Sequence, residues 1–181
     1  MISDDVRLPQ GEHCRIRLLE AADESILKDM FARCSADDMH LRCFATMKDF
    51  PAKMAARLAH MDPAEEIGLV ATPLAAEAQE ILGVAHVILD HEEEGAAEFD
   101  VMVRSDQKGH GIGYALMTAL LDEARRRGFK AVVGYILREN RAMMQMCGEL
   151  GFVAVRFEGA VTFMRVDLAT VELPPLGMPA A

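Results

Sequence analysis

The spacing of apolar and polar positions changes along the chain, and each change predicts a different kind of element. Residues 13–20, His-Cys-Arg-Ile-Arg-Leu-Leu-Glu, alternate weakly and predict a first strand. From Ala21 to Cys34 the residues Ile26, Leu27, Met30 and Phe31 fall at helical spacing. Asp37 is the expected N-cap of a second helix running through Met39, Leu41 and Phe44. A third helix follows Pro51, with Met54, Leu58 and Met61 on one stripe and the proline suited to a first turn. From Glu66 the period shortens. Ile67–Thr72, Ile81–Asp90 and Glu98–Arg104 are β-branched or alternating runs joined by short connections, which predicts an antiparallel meander. A long amphipathic helix then spans Ile112–Arg127, with Leu116, Met117, Leu120, Leu121 and Ala124 on its buried stripe and Gly128 as its stop. Lys130–Leu137 reads as a buried strand, Asn140–Leu150 as a helix, and Phe152–Phe157 with Val161–Val166 as a closing pair. Met1–Glu12 lacks an apolar segment, and Glu172–Ala181, with three prolines, is expected to be an extended tail.

The order βααα-βββ-αβ-αββ predicts an α+β fold: a mixed, mostly antiparallel twisted sheet of about six to seven strands flanked by helices. The 181 residues make one domain, residues 1–181, with its core over about 13–168. A chain of this size buries roughly 70% of its extended surface, enough for a core without staples. Hydrophobic residues at 51% against 27% charged exclude a disordered chain. No apolar run approaches the ~18 residues that span a bilayer, and no secretory signal is visible, so the expected location is cytoplasmic. The net charge of −10 provides no basic face for nucleic acid and favours a cationic partner such as an amine. Cys14, Cys34, Cys43 and Cys147 show no paired spacing, so they read as reduced thiols without a metal.

The chemistry concentrates in Phe99–Met117, where a strand runs into a glycine-rich turn that opens a helix. Glycines at 109, 111 and 113 permit positive φ and let a ligand approach the main chain closely. Amide groups at a helix N-terminus make a site for phosphate. Three readings compete on these residues alone. A dinucleotide fold wants GxGxxG, but Tyr114 stands where the third glycine belongs and too little chain remains for a second half. A phosphate loop of the GxxxxGK[ST] type is absent. A connector that binds nothing leaves three alternate glycines at a helix start without a use.

The run Lys108-Gly-His-Gly-Ile-Gly113 resembles the acyl-CoA pyrophosphate loop of the GNAT acetyltransferase superfamily, usually written [R/Q]xxGx[G/A]. Val101-Met102-Val103 precedes it on a strand, Asn140 heads the next helix and Gly151-Phe152 ends that helix, again as in the family. The likeness extends over about residues 13–168. It is nearest to the branch that acetylates protein lysines, including the GNAT domains attached to acyl-CoA synthetases. The shared words are Arg-Ile-Arg (15–17), Met-His-Leu-Arg-Cys-Phe (39–44), Ala-Glu-Phe (97–99) and Glu-Asn-Arg-Ala-Met (139–143). Where that branch typically reads Leu-Arg-Phe-Phe, this chain has Leu41-Arg-Cys-Phe44.

The resemblance implies a fold splayed between the strand at 98–104 and the strand at 130–137. It implies that main-chain groups of Val101, Met102 and Val103 receive the pantetheine arm of acetyl-CoA as though it were another strand. The amides of Lys108, Gly109, His110, Gly111, Ile112 and Gly113 would hold the diphosphate, with Asn140 also in the cofactor site. Lys108 replaces the usual Arg or Gln and supplies a point charge, not a fork. The His110 side chain reads either as an added donor or as a solvated loop residue. Acetyl transfer needs a neutral amine, and a lysine is neutral in only about 1 in 2,500 molecules at pH 7. A carboxylate that removes the proton is therefore expected. Glu98 aligns with the glutamate given that role in the branch, and Asp100 is the reserve. Cys147 falls where many members carry a proton-donating tyrosine, so no general acid is assigned. The implied activity is acetyl-CoA-dependent N-acetylation of a primary amine, a protein lysine such as one on an acyl-CoA synthetase. A small-molecule amine acceptor, or a non-catalytic module that senses acyl-CoA, are the alternatives. No metal is implied, and a homodimer is common in the family.

Overall fold

Short connections between runs of β-branched residues force neighbouring strands to pair, and they do so over most of one sheet. The computed structural model describes residues 2–43, 50–74, 79–91 and 93–177. Its strands are β1 (Ser3–Arg7), β2 (His13–Leu18), β3 (Glu66–Pro73), β4 (Gly83–Leu89), β5 (Ala96–Val103), β6 (Ala131–Leu137), β7 (Val153–Glu158) and β8 (Val161–Asp167). They form one eight-stranded sheet in the order β1-β2-β3-β4-β5-β6-β8-β7. Every pairing is antiparallel except β5 with β6. The helices are α1 (Glu24–Ala32), α2 (Ala36–Cys43), α3 (Phe50–Ala59), α4 (Ile112–Arg126) and α5 (Arg141–Glu149).

The α+β class and the mixed sheet agree with the sequence reading, and two of its details are corrected. The sheet has eight strands because Ser3–Arg7 pairs with β2 at the edge. That segment buries the apolar side chain of Val6 and is otherwise polar, so it has no strand signature of its own. The second helix begins at Ala36, which places Asp37 in its first turn; the Ser35 hydroxyl accepts from the Asp38 amide at 3.1 Å. Phe44, expected at its end, lies outside the described residues, as do residues 178–181 of the tail. Leu173 and Leu176 of the described tail pack against the core.

Two apolar layers sandwich the sheet. On one face α4 contributes Leu116, Leu120 and Leu121, all fully buried, against Leu69, Ala85 and Val101. Each such leucine contributes about 1.5–3 kcal/mol by leaving water. On the other face Leu27 and Phe31 of α1 and Leu58 of α3 cover Val70, Val84 and Met102.

The parallel pair is where the sheet opens. β5 and β6 are in register only at Ala96↔Ala131, Ala97↔Val132 and Glu98↔Val133, although β5 runs on to Val103 and β6 to Leu137. The expected splay is present. Its phase follows from the amide of Arg104, which donates to Leu82 O at 2.9 Å. By the two-residue repeat of an antiparallel ladder, Glu98, Asp100 and Met102 exchange main-chain bonds with β4. Phe99, Val101 and Val103 then direct their N–H and C=O groups toward β6, which meets Phe99 at the end of the register and no longer meets Val101 and Val103.

Candidate active site

A cleft of about 590 Å³ occupies the divergence of β5 and β6. One wall is β5 from Glu98 to Val103, and another is the turn carrying Lys108, Gly109, Gly111 and Gly113 into α4. The unpaired edge of Val101 and Val103 offers the alternate donors and acceptors that an extended, amide-containing ligand arm completes.

The turn is shaped by two glycines. Gly109 has φ 81° and Gly111 has φ 89°, the left-handed region in which a side chain is strained. Gly113, inside the helix expected over Ile112–Arg127, is the second residue of α4 and helical. It still matters as a bare surface: a Cβ there would stand 3.6 Å from Val103 Cγ2 and 3.7 Å from Met146 Sδ, at the cleft wall. The first α4 bond runs from the Ala115 amide to Gly111 O at 3.0 Å, so the amides before it precede the helical ladder. Together with the positive end of the helix dipole they fit a diphosphate.

The segment between β1 and β2 braces this turn from behind. Pro9 lies against Gly111, so that an added Cβ would come within 2.5 Å of its Cδ. Gln10 Nε2 donates to Gly109 O at 3.0 Å, and His110 Nδ1 is 2.7 Å from Glu12 Oε2. The His110 ring is therefore engaged by the N-terminal segment, and His110 is not among the residues lining the cleft. Asn140 does line it; its side-chain oxygen caps α5 by accepting from the Met143 amide at 3.2 Å.

Charges in the cleft are paired in an order that residue spacing does not show. Lys108 Nζ donates to the Asp38 carboxylate on α2, and the Ser105 hydroxyl donates to the same group. Arg42, also on α2, forms an ion pair with Asp100 and stacks its guanidinium 5.6 Å from the centre of the Phe31 ring. Glu98 is different. It lines the cleft with solvent access and has no ion-pair partner among the described residues. Partial burial raises its pKa above the ordinary glutamate value, and the negative charges of Asp100 and Asp90 raise it further. Asp100, the reserve candidate, is committed to Arg42.

Cys147 is fully buried in the core under α4, and burial pushes its thiol up to about 12. It does not line the cleft; α5 presents Ala142, Met143, Gln145, Met146 and Glu149 instead. Among the described residues no cluster of His, Cys, Asp or Glu is arranged to hold a metal ion. Residue spacing did not single out Asp38, Tyr135 or Pro9 as cleft residues. Their only signal is spatial: each reaches the cleft from an element distant in sequence.

A splayed mixed sheet with an amide-lined turn beside the gap defines an acyl-CoA-dependent transferase. Residues 33–152 match the model of the Acetyltransferase (GNAT) family, and the chain belongs to that family, whose members are acetyl-CoA-dependent N-acetyltransferases. An acetyltransferase of Pseudomonas aeruginosa is 31% identical over 151 residues, covering 82% of this chain and 80% of that one. A shorter stretch of 58 residues is 40% identical to an L-methionine sulfoximine/L-methionine sulfone acetyltransferase of the same species, covering 32% of this chain and 34% of that one. The crystal structure of the GNAT domain of S. lividans PAT superposes with a TM-score of 0.80 at 25% identity, covering 90% of this chain and 95% of that one. No helix among the described residues is long and apolar enough to cross a membrane.

Proposed function

We propose that this protein acetylates a lysine side chain of another protein by direct attack in a ternary complex, with Glu98 as the general base. The observation that carries the reading is Glu98 itself, a carboxylate without a cationic partner among the described residues, beside the open edge of β5. Bound acetyl-CoA supplies the acyl carbon and the thiolate that leaves. Main-chain groups of Val101 and Val103 would align its arm, with Met102 between them paired to β4. The amides from Lys108 through Gly109, His110, Gly111, Ile112 and Gly113 would fix its diphosphate, and Asn140 would border it. Glu98 would take the ammonium proton, the amine nitrogen would then bond the acyl carbon as the carbon–sulfur bond breaks, and the second nitrogen proton would pass to the departing thiolate or to water. The raised pKa of Glu98 suits this task, since a base works best when its pKa nears the working pH.

A cationic acceptor is supported by the balance of charge. Four acids, Asp38, Glu98, Asp100 and Glu149, line the cleft against Arg42 and Lys108, and both cations are engaged by carboxylates. A protein acceptor is supported by the local words shared with the lysine-acetylating branch and by the similarity to the PAT domain. A free amino acid or other small amine is the second reading, supported by the 58-residue match to the methionine sulfoximine acetyltransferase.

The test pairs calorimetry with a turnover assay on lysine peptides, intact acyl-CoA synthetase and a panel of small amines. Glu98→Gln is expected to lower kcat by about 10²–10⁴-fold while CoA still binds. Turnover that survives this change would overturn the base assignment. Activity confined to small amines would overturn the protein acceptor.

A further inference from the structure

The short helix α2 reaches both halves of the cleft, and it is held there mainly by charge. Leu41 and Arg42 line the cleft one turn after Asp38, on the same side of the helix. Arg42 is tied to Asp100 on β5, and Asp38 is tied to Lys108 and Ser105, which belong to the segment leading into α4. The Ser105 hydroxyl also accepts from the Ser35 amide at 2.7 Å, just before α2 begins. The Asp38 side chain is only 15% exposed. Apolar anchoring among the described residues is slight: of α2's described side chains, Met39 is the one packed partly buried against the smaller core layer.

We propose that Asp38 is a positioning residue that clasps the diphosphate loop to the acceptor wall, holding Leu41 and Arg42 over the cleft while neutralising the charge of Lys108. This rests on the reading of the cleft as an acyl-CoA and amine site. Two opposite effects follow from one carboxylate. Its hydrogen bonds from Lys108 and Ser105 fix α2, and so shape the side of the cleft next to Glu98 and Asp100. Its negative charge sits on the ammonium that would otherwise face a diphosphate, so the loop amides carry that contact.

The clasp therefore has a signature that a general structural role lacks. Asp38→Asn keeps the size of the side chain and removes the charge. It is expected to tighten CoA about two- to fivefold by calorimetry, the scale of a partly exposed ion pair. The same variant is expected to raise the acceptor KM roughly fivefold or more, because the wall is no longer held in place. Adding Lys108→Met to Asp38→Asn is expected to abolish the gain in CoA affinity, and Lys108→Met alone to raise the acceptor KM without that gain. Variants that weaken CoA and acceptor together would overturn the clasp, as would an acceptor KM unchanged by Asp38→Asn. If the wild-type protein gives no heat with CoA, the reading of the cleft itself fails. Wild-type binding without the opposed shifts removes only the role of Asp38.

Discussion

The ring of Phe99 lies against the bare backbone of Gly134, at the place where β5 and β6 separate. A Cβ on Gly134 would come within 2.7 Å of Phe99 Cδ1, inside the van der Waals surface of the ring. The ring also meets Phe152 edge-on, with centroids 5.3 Å apart and planes at 64°. A large side chain on one strand and a missing one on the other thus fill the wedge and hold it at a fixed width.

Gly134→Ala should force that ring to move. Overpacking of this kind costs about 1–3 kcal/mol. The expected outcome is a lower melting temperature together with weaker CoA binding, read by thermal denaturation and calorimetry. Unchanged values for both would mean that the ring does not set the width of the cleft.

The two left-handed glycines of the turn before α4 should differ in tolerance. Gly109 has open space around a would-be Cβ, so Gly109→Ala costs only the backbone strain, about 1–2 kcal/mol. Gly111→Ala adds a collision with Pro9 and should be the more destabilising change. Melting curves of the two variants check the order, and CoA affinity is expected to fall further for Gly111→Ala.

The pH dependence has a definite sign. With Glu98 as the proposed base, its carboxylate form would be the active one, and kcat/KM should rise with pH through a value above the ordinary glutamate range. Asp100→Asn removes one of the negative charges that raises it, and the acidic limb should move to lower pH. A limb that stays in place would mean that another group controls it. The same shift acts on stability in the opposite sense. Between its unfolded-state pKa and its raised folded value, Glu98 holds its proton more tightly in the folded protein. Stability therefore falls as pH rises through that window, and Glu98→Gln should remove this dependence.

What was legible in the sequence was local. The stripe of Leu116, Leu120 and Ala124, the stop at Gly128 and the glycines before Ile112 all act within a turn or two of themselves, and α4 with its loop follows from them. The splay was readable because Val101 and Val103 stand beside a recognisable loop. Ser3–Arg7 was not, because an edge strand that buries mainly Val6 is specified by its partner β2. Nor could spacing show that Asp38 meets Lys108 across 70 residues, or that Arg42 takes Asp100 out of contention as a base. Among the three alternate glycines, the start of the helix at Ile112 decides the conformation: Gly109 and Gly111 stand before it and are left-handed, and Gly113 stands within it.

The narrow zone of register between β5 and β6 also divides the molecule mechanically. Three register pairs and the shared core join one subsheet, β1 to β5, to the other, β6 to β8. A substrate seated across that seam, as proposed above, would be a crossbrace, and occupancy at 100 times its Kd would add about 2.7 kcal/mol to the folded state. The thermal endurance of the protein thus becomes a gauge of how much acyl donor surrounds it.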